Sequence, residues 1–142
     1  MGVCGRCDGL AHLSCEADLP EWVVEPVHEF RRTIGKVAHA LHYRAPFASS
    51  PGLQDRDRIT VVSGEFRKLA SDLRESLVVI PLYGLTAFCF RLPSRKNVLD
   101  AVTDLIGLSN TLHESARGEG MQNAKRAERI CRALGIKIPD GE

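Results

Sequence analysis

Apolar residues recur at alternating spacings of three and four along two long stretches of this chain. The first stretch supplies Val23, Val27, Phe30, Ile34, Val37 and Leu41, and the second supplies Val62, Phe66, Leu69, Leu73 and Ile80. This spacing places each set on one face of an α-helix, with Ser76 at one position of the second face. Two such faces in one small protein predict helices that pack on helices.

Residues that break helices set the bounds of the first two predicted elements. The first helix is expected over residues 20–43, and a loop rich in Pro, Ser and Gly follows at residues 45–52. A second helix is expected over residues 53–80. Its β-branched segment at residues 59–62, which precedes a Ser-Gly pair, also suits a short strand. We favour the helix because the helical spacing continues through this segment.

Pro81 divides the second half of the chain from the first. Proline lacks a backbone N–H donor and clashes with the preceding turn, so the chain is expected to bend or break there. Residues 82–90 are predicted to form a short further helix. Ser94 is a suitable N-cap for a third long helix, which Gly118 and Gly120 are expected to end.

The third long helix has the broadest apolar face and is therefore predicted to be central. That face consists of Val98, Leu99, Val102, Leu105, Ile106, Leu108 and Leu112. A last helix is expected over residues 121–134, ended by Gly135. The residues expected to be buried together are Phe66, Leu69, Leu73, Val102, Leu105 and Ile106. The prediction is an all-α bundle of four to five helices with a Pro-broken crossing segment, forming one domain over residues 18–142 after a Cys- and Gly-rich lead over residues 1–17.

The composition fits an ordinary globular domain. The chain has 142 residues, of which 44% are hydrophobic and 26% charged, and this length is sufficient to bury a core. A net charge of +1 gives no overall field that attracts nucleic acid, which is therefore not an expected partner. The absence of a secretory signal and of a disulfide framework favours a reducing, cytoplasmic location. The longest apolar run, residues 77–90, is shorter than the roughly 20 residues that span a bilayer as a helix.

Three cysteines and a histidine near the N-terminus have spacing suited to a metal. Cys4, Cys7, His12 and Cys15 offer thiolate and imidazole ligands, which tetrahedral zinc prefers. The pattern resembles the zinc knuckle of retroviral nucleocapsid proteins, except that its last interval is two residues where the knuckle has four. The resemblance covers residues 4–15 and implies a bound zinc ion. The alternative is a Cys-bearing tail without metal.

One pair of residues suggests an enzyme. Arg32 and His39 are separated by six residues, and this spacing resembles the Arg-x4–6-His motif of HEPN ribonucleases, which are all-helical and similar in size. The resemblance implies that Arg32 stabilises phosphate charge and that His39 transfers a proton. No nucleophile elbow, phosphate loop or dinucleotide fingerprint accompanies this pair.

A third candidate site follows Pro81. Arg91, Arg95 and Lys96 lie next to an apolar segment that contains Leu85 and Phe88. Apolar side chains beside basic ones suit docking on a membrane surface or on a partner protein. In the simpler alternative Leu82, Leu85 and Phe90 complete the core. We therefore expect a non-enzymatic helical interaction module that associates with itself or a partner protein, with a HEPN-like ribonuclease or a protein peripheral to the membrane as alternatives.

Overall fold

The computed structural model describes residues 20–45, 55–113 and 119–137. Within these residues the chain forms helices and no strand. The helices are α1 (Glu21–Tyr43), α2 (Arg56–Val79), α3 (Tyr83–Phe90), α4 (Arg95–Thr111) and α5 (Glu119–Leu134). The predicted all-α bundle with a Pro-broken crossing segment is confirmed.

The four long helices pack in a closed sequence of neighbours. Helix α1 packs on α2, α2 on α4 and α4 on α5, and α5 returns to make a smaller contact with α1. Helices α4 and α5 are antiparallel, because Thr111 at the end of α4 bonds to Asn123 near the start of α5. Farther back along α4, Asp104 pairs with Arg129 in the second half of α5. The short helix α3 connects α2 with α4.

One main core lies between the four long helices. The apolar stripes of α1 and α2 face inward as predicted, and Phe30, Phe66 and Leu105 are almost fully buried. A small second cluster joins Val23 and Val27 of α1 to Phe90 of α3. The other large side chains with less than 2% exposure are Val37, Val62, Leu73, Val98, Leu108, Leu112, Asn123 and Ile130. The fold therefore has a buried centre made mainly by α1, α2, α4 and α5, to which α3 adds Tyr83 and Ala87, while Phe90 packs on α1 in the second cluster.

Two local predictions about helix formation are confirmed. Residues 59–62 are helical within α2, where Val62 is buried in the core. Ser94 caps α4, since its side-chain oxygen accepts a hydrogen bond of 3.2 Å from the backbone N–H of Asn97. Such a bond satisfies one of the N–H groups that a helix start leaves unpaired.

The predicted apolar face of α4 was too wide. Ile106 is 42% exposed and Leu99 is 40% exposed, whereas Leu105 is fully buried. Successive residues of a helix point about 100° apart, so Leu105 and Ile106 cannot both face the same neighbouring helix. The predicted ends were also wrong: α4 ends at Thr111, and Gly120 lies in the first turn of α5. A glycine there disturbs little, because the first N–H groups of a helix have no partner within it.

A buried polar layer connects α2, α4 and α5 at the end of the bundle away from Pro81. The hydroxyl of Ser63 donates to the carbonyl of Ser109 over 3.1 Å. The hydroxyl of Thr111 donates to the side-chain oxygen of Asn123 over 2.6 Å, and Asn123 has no exposed surface. Buried polar groups are costly without partners, so these pairs restrict how α4 can slide along its neighbours.

Leu105→Ala should lower the free energy of unfolding by about 2–5 kcal/mol, because it opens a cavity in the centre of the bundle. Ile106→Ala is the matched control on the same helix, and its partly exposed side chain should cost about 1 kcal/mol or less. Urea unfolding of both variants measures the difference. Equal losses for the two variants would contradict the orientation of α4.

Candidate docking surface

A right-angle break places α3 across one end of the bundle. Helix α2 ends at Val79, Pro81 follows, and the axes of α2 and α3 differ by 104°. The residues that flank α3 have left-handed backbone conformations, with φ of 45° at Leu82 and 52° at Arg91. Residues other than glycine rarely adopt this backbone conformation, which costs roughly 1–2 kcal/mol per residue. The position of α3 is therefore maintained against local strain.

Tyr83 anchors the beginning of α3. Its ring meets the ring of Phe30 edge to face, with centroids 6.1 Å apart, and its hydroxyl donates a 2.7 Å hydrogen bond to the carbonyl of Pro93. Burial raises the pKa of Tyr83 to about 12, while the charge of nearby Arg95 acts in the opposite direction. The tyrosine is therefore neutral at physiological pH and can serve as a hydrogen-bond donor.

Phe90 anchors the end of α3. Its side chain packs on Val23 and Val27 of α1. The guanidinium of Arg31 donates to the carbonyl of Phe90 over 2.9 Å and lies 5.9 Å from the centre of its ring. With Tyr83 at one end and Phe90 at the other, α3 is fastened to α1 along one face.

The opposite face of α3 and the end of α2 expose large apolar side chains. We call this surface the α3 patch, and it consists of Val78, Val79, Leu82, Leu85 and Phe88, whose exposed fractions lie between 55 and 84%. Leu82, Leu85 and Phe88 line one shallow depression of about 660 Å³. Scattered exposed apolar residues are ordinary, whereas large contiguous apolar patches are typical of binding surfaces.

The simpler alternative, in which the apolar residues of this segment complete the core, is wrong for two of its three residues. Phe90 is buried, but Leu82 and Leu85 are exposed. Phe88 is the most exposed of the segment, at 84%. Sequence reasoning missed Val78 and Val79, which adjoin the core residue Leu77 but lie off the buried stripe of α2. The sequence did offer a signal: the end of α2 and the whole of α3 are apolar on every side, so some of their apolar residues have to be exposed.

Basic side chains adjoin the α3 patch without acidic partners. Residues 76–99 contain Arg91, Arg95 and Lys96 and no Asp or Glu. All three side chains are exposed, and within the described part of the chain none is paired with a carboxylate. Four arginines elsewhere in the bundle do have such partners: Arg32, Arg44, Arg129 and Arg132. The uniform sign does not extend to α1, which packs on Phe90 and carries Glu21 and Glu25 in its first turns.

Two helix ends in this protein have the same geometry with different residues. After α5, Gly135 has φ of 69°, and the next N–H, of Ile136, donates to Cys131 over 2.8 Å. After α3, Arg91 takes the glycine's place, and the N–H of Leu92 donates to Ala87 over 2.9 Å. Glycine is the usual residue at this position of a helix end. The α3 end therefore keeps a charged side chain where glycine would relieve strain.

The predicted ribonuclease residues lie apart from the α3 patch. Arg32 and His39 line one shallow groove of about 580 Å³ between α1 and α2. Arg32 donates to Glu29 over 2.8 Å, and the ring of His39 stacks on that of Tyr43 at 5.7 Å. The carboxylates of Glu65 and Asp72 line the same groove as the basic side chains of Lys36 and Lys68, so the groove has no uniform charge that would select an anionic phosphate.

The structure does not describe the predicted zinc ligands near the N-terminus. Cys4, Cys7, His12 and Cys15 lie outside the described residues, and zinc binding stays a prediction. Among the described residues no group of three or more His, Cys, Asp or Glu side chains could hold a metal ion. In the same part of the chain no single helix is long and apolar enough to cross a membrane, although α2 and α3, bent by 104°, meet that test as a pair by length and composition.

Tyr83→Phe tests the anchor at the start of α3. A phenol whose pKa is higher in the folded than in the unfolded protein stabilises the fold fully below the unfolded pKa of about 10 and loses that effect as the pH rises through about 12. At neutral pH the variant should be about 1 kcal/mol less stable than wild type, because it lacks the hydrogen bond. Between pH 10 and 12 the stability of the variant should fall less than that of wild type, because it has no phenol to ionise. Denaturant unfolding across this range measures both effects, with the exposed Tyr43→Phe as control. Identical pH profiles for Tyr83→Phe and wild type would contradict this anchor.

Comparison with known proteins gives no family for this chain: no family model, no curated protein and no solved structure matches it significantly.

Proposed function

We propose that this chain is a non-enzymatic helical interaction module that docks through the α3 patch. The observation that supports the proposal is the exposure of five large apolar side chains at the end of α2 and along α3, whose other face is held by Tyr83 and Phe90. An exposed apolar surface on a fixed element is available for binding without a large ordering cost.

The exposed apolar side chains can supply part of the free energy that docking requires. Complete burial of one Val, Leu or Phe side chain is worth about 1.5–3 kcal/mol relative to leaving it exposed. Leu82, Leu85 and Phe88 have most of this burial still to gain, since each is more than 60% exposed. Their combined burial matches only the lower part of the roughly 4–15 kcal/mol that association costs in translational and rotational freedom, so stable docking also needs contacts from the neighbouring polar and basic side chains.

A double variant, Leu85→Asp/Phe88→Asp, tests the module. Both side chains are exposed, so the change in the free energy of unfolding should stay within about 1 kcal/mol. Sedimentation velocity reports self-association, and vesicle flotation reports lipid binding. We expect wild type to associate in at least one assay and the double variant in neither.

Val61→Asp is the matched control, because Val61 is 65% exposed and lies near the start of α2, at the other end of the bundle. It should behave as wild type in both assays. The module proposal fails if the double variant matches wild type in both assays, or if wild type associates in neither.

Ribonuclease activity is the second candidate, and the observation that favours it is the groove shared by Arg32 and His39. Against it stand the mixed charge of that groove and the ion pair of Arg32 with Glu29. We expect single-stranded RNA to survive incubation with purified wild-type protein, as read by gel electrophoresis. Cleavage that is lost in both Arg32→Ala and His39→Ala would overturn the module in favour of the enzyme.

A further inference from the structure

We propose that the α3 patch docks on an anionic lipid surface, with its apolar side chains entering the interface and Arg91, Arg95 and Lys96 binding lipid headgroups. This inference rests on the proposed docking function and specifies its partner. It is supported by the charge around the patch, by the orientation of α3 and by the residue chosen at the end of α3.

The charge around the patch favours an anionic partner over a second copy of the chain. The three basic side chains have no carboxylate partner among the described residues. A symmetric dimer that buried Leu85 and Phe88 against their copies would bring the same basic groups towards one another, which is unfavourable. An anionic bilayer satisfies all three at once, since its surface potential attracts every basic residue that lies close to it.

The orientation of α3 is that of a helix lying in the plane of an interface. Because α3 is turned by 104° from α2, it lies across the end of the bundle instead of continuing along it. Its inner residues Tyr83 and Phe90 are buried, and its outer residues Leu85 and Phe88 point away from the bundle. Interfacial helices bind in this way, with one apolar face in the headgroup region and basic residues beside it.

The residue at the end of α3 supports a role for its charge. Arg91 has φ of 52° in a position where α5 uses Gly135. A side chain in this conformation is strained, and such strain is found where function requires the side chain. The structure assigns to Arg91 a headgroup contact that glycine could not make.

Flotation of the full-length protein with vesicles tests the proposal. The vesicles are phosphatidylcholine alone, or phosphatidylcholine with about one third phosphatidylglycerol. We expect binding to the anionic vesicles, weakened by added salt, and little binding to the neutral ones. Arg91→Ala/Arg95→Ala/Lys96→Ala should weaken binding on the order of 100-fold, because each basic residue contributes roughly fivefold.

The control for charge is Arg56→Ala/Arg58→Ala/Lys125→Ala, which makes the same change in net charge on surfaces away from α3. These side chains are exposed, and Arg56 and Arg58 begin α2, whose 24 residues extend about 36 Å. This triple variant should bind anionic vesicles as wild type does. Equal weakening by the two triple variants would show an effect of net charge alone and would overturn the proposal.

Two single substitutions separate binding from folding. Phe88→Ala should weaken vesicle binding about tenfold with an unchanged melting temperature, because Phe88 is 84% exposed. Arg91→Gly should raise the melting temperature by relieving strain and weaken binding roughly fivefold. If Arg91→Gly binds vesicles as tightly as wild type, the proposed headgroup contact is wrong. If Phe88→Ala binds vesicles as tightly as wild type, the patch does not insert into the interface.

The outcome also distinguishes this inference from the module on which it rests. Self-association that Leu85→Asp/Phe88→Asp abolishes, without flotation on anionic vesicles, would overturn the lipid partner and leave the module in place. Equal flotation on neutral and anionic vesicles would overturn the headgroup contacts. Absence of both self-association and flotation would overturn the module together with its partner.

Discussion

The right-angle break after α2 is the constraint on which the α3 patch depends. Without Pro81, the apolar positions at the end of α2 could continue as one long helix along the bundle. The proline removes a backbone donor, and the left-handed conformation of Leu82 turns the chain across the end of the bundle. This turn divides one apolar segment into a face that packs on α1 and a face that stays exposed.

The two ends of the bundle have different kinds of stability. Away from α3, paired polar groups such as Thr111 with Asn123 fix the helices relative to one another inside the core. At the α3 end, aromatic anchors hold a short helix whose flanking residues are strained. Proteins commonly accept lower stability where a surface must be kept for binding. Arg91 has a left-handed backbone conformation that glycine would adopt with less strain, and its charge is what the proposed docking requires at this position.

The sequence was sufficient to predict where the helices form, but not which of their faces are exposed to solvent. The bounds of α1, the helical state of residues 59–62 and the cap at Ser94 follow from local rules of spacing and hydrogen bonding, so they could be predicted. Spacing shows which residues share a face, but not whether that face meets a neighbour. This is why Ile106 was expected in the core and is 42% exposed.

The α3 patch could be predicted even less well from the sequence. Helix α3 is apolar on all sides, so the distribution of apolar and polar residues around it does not indicate which side is buried. Its orientation depends on contacts between residues far apart in the chain, such as Phe30 with Tyr83 and Arg31 with Phe90. The polar layer between α2, α4 and α5 was missed for the same reason, since Ser63 meets Ser109 only once the helices are in register.

Solution NMR of the isolated protein with a soluble paramagnetic probe measures whether α3 is a fixed helix with one exposed apolar face. We expect strong broadening of the side-chain signals of Leu82, Leu85 and Phe88, weak broadening of those of Tyr83 and Phe90, and slow hydrogen exchange at the bonded amides of α3. Protection of all five side chains would show that the surface is already covered within the chain. Rapid exchange throughout α3 would show that no fixed helix presents it, and either result would contradict the account.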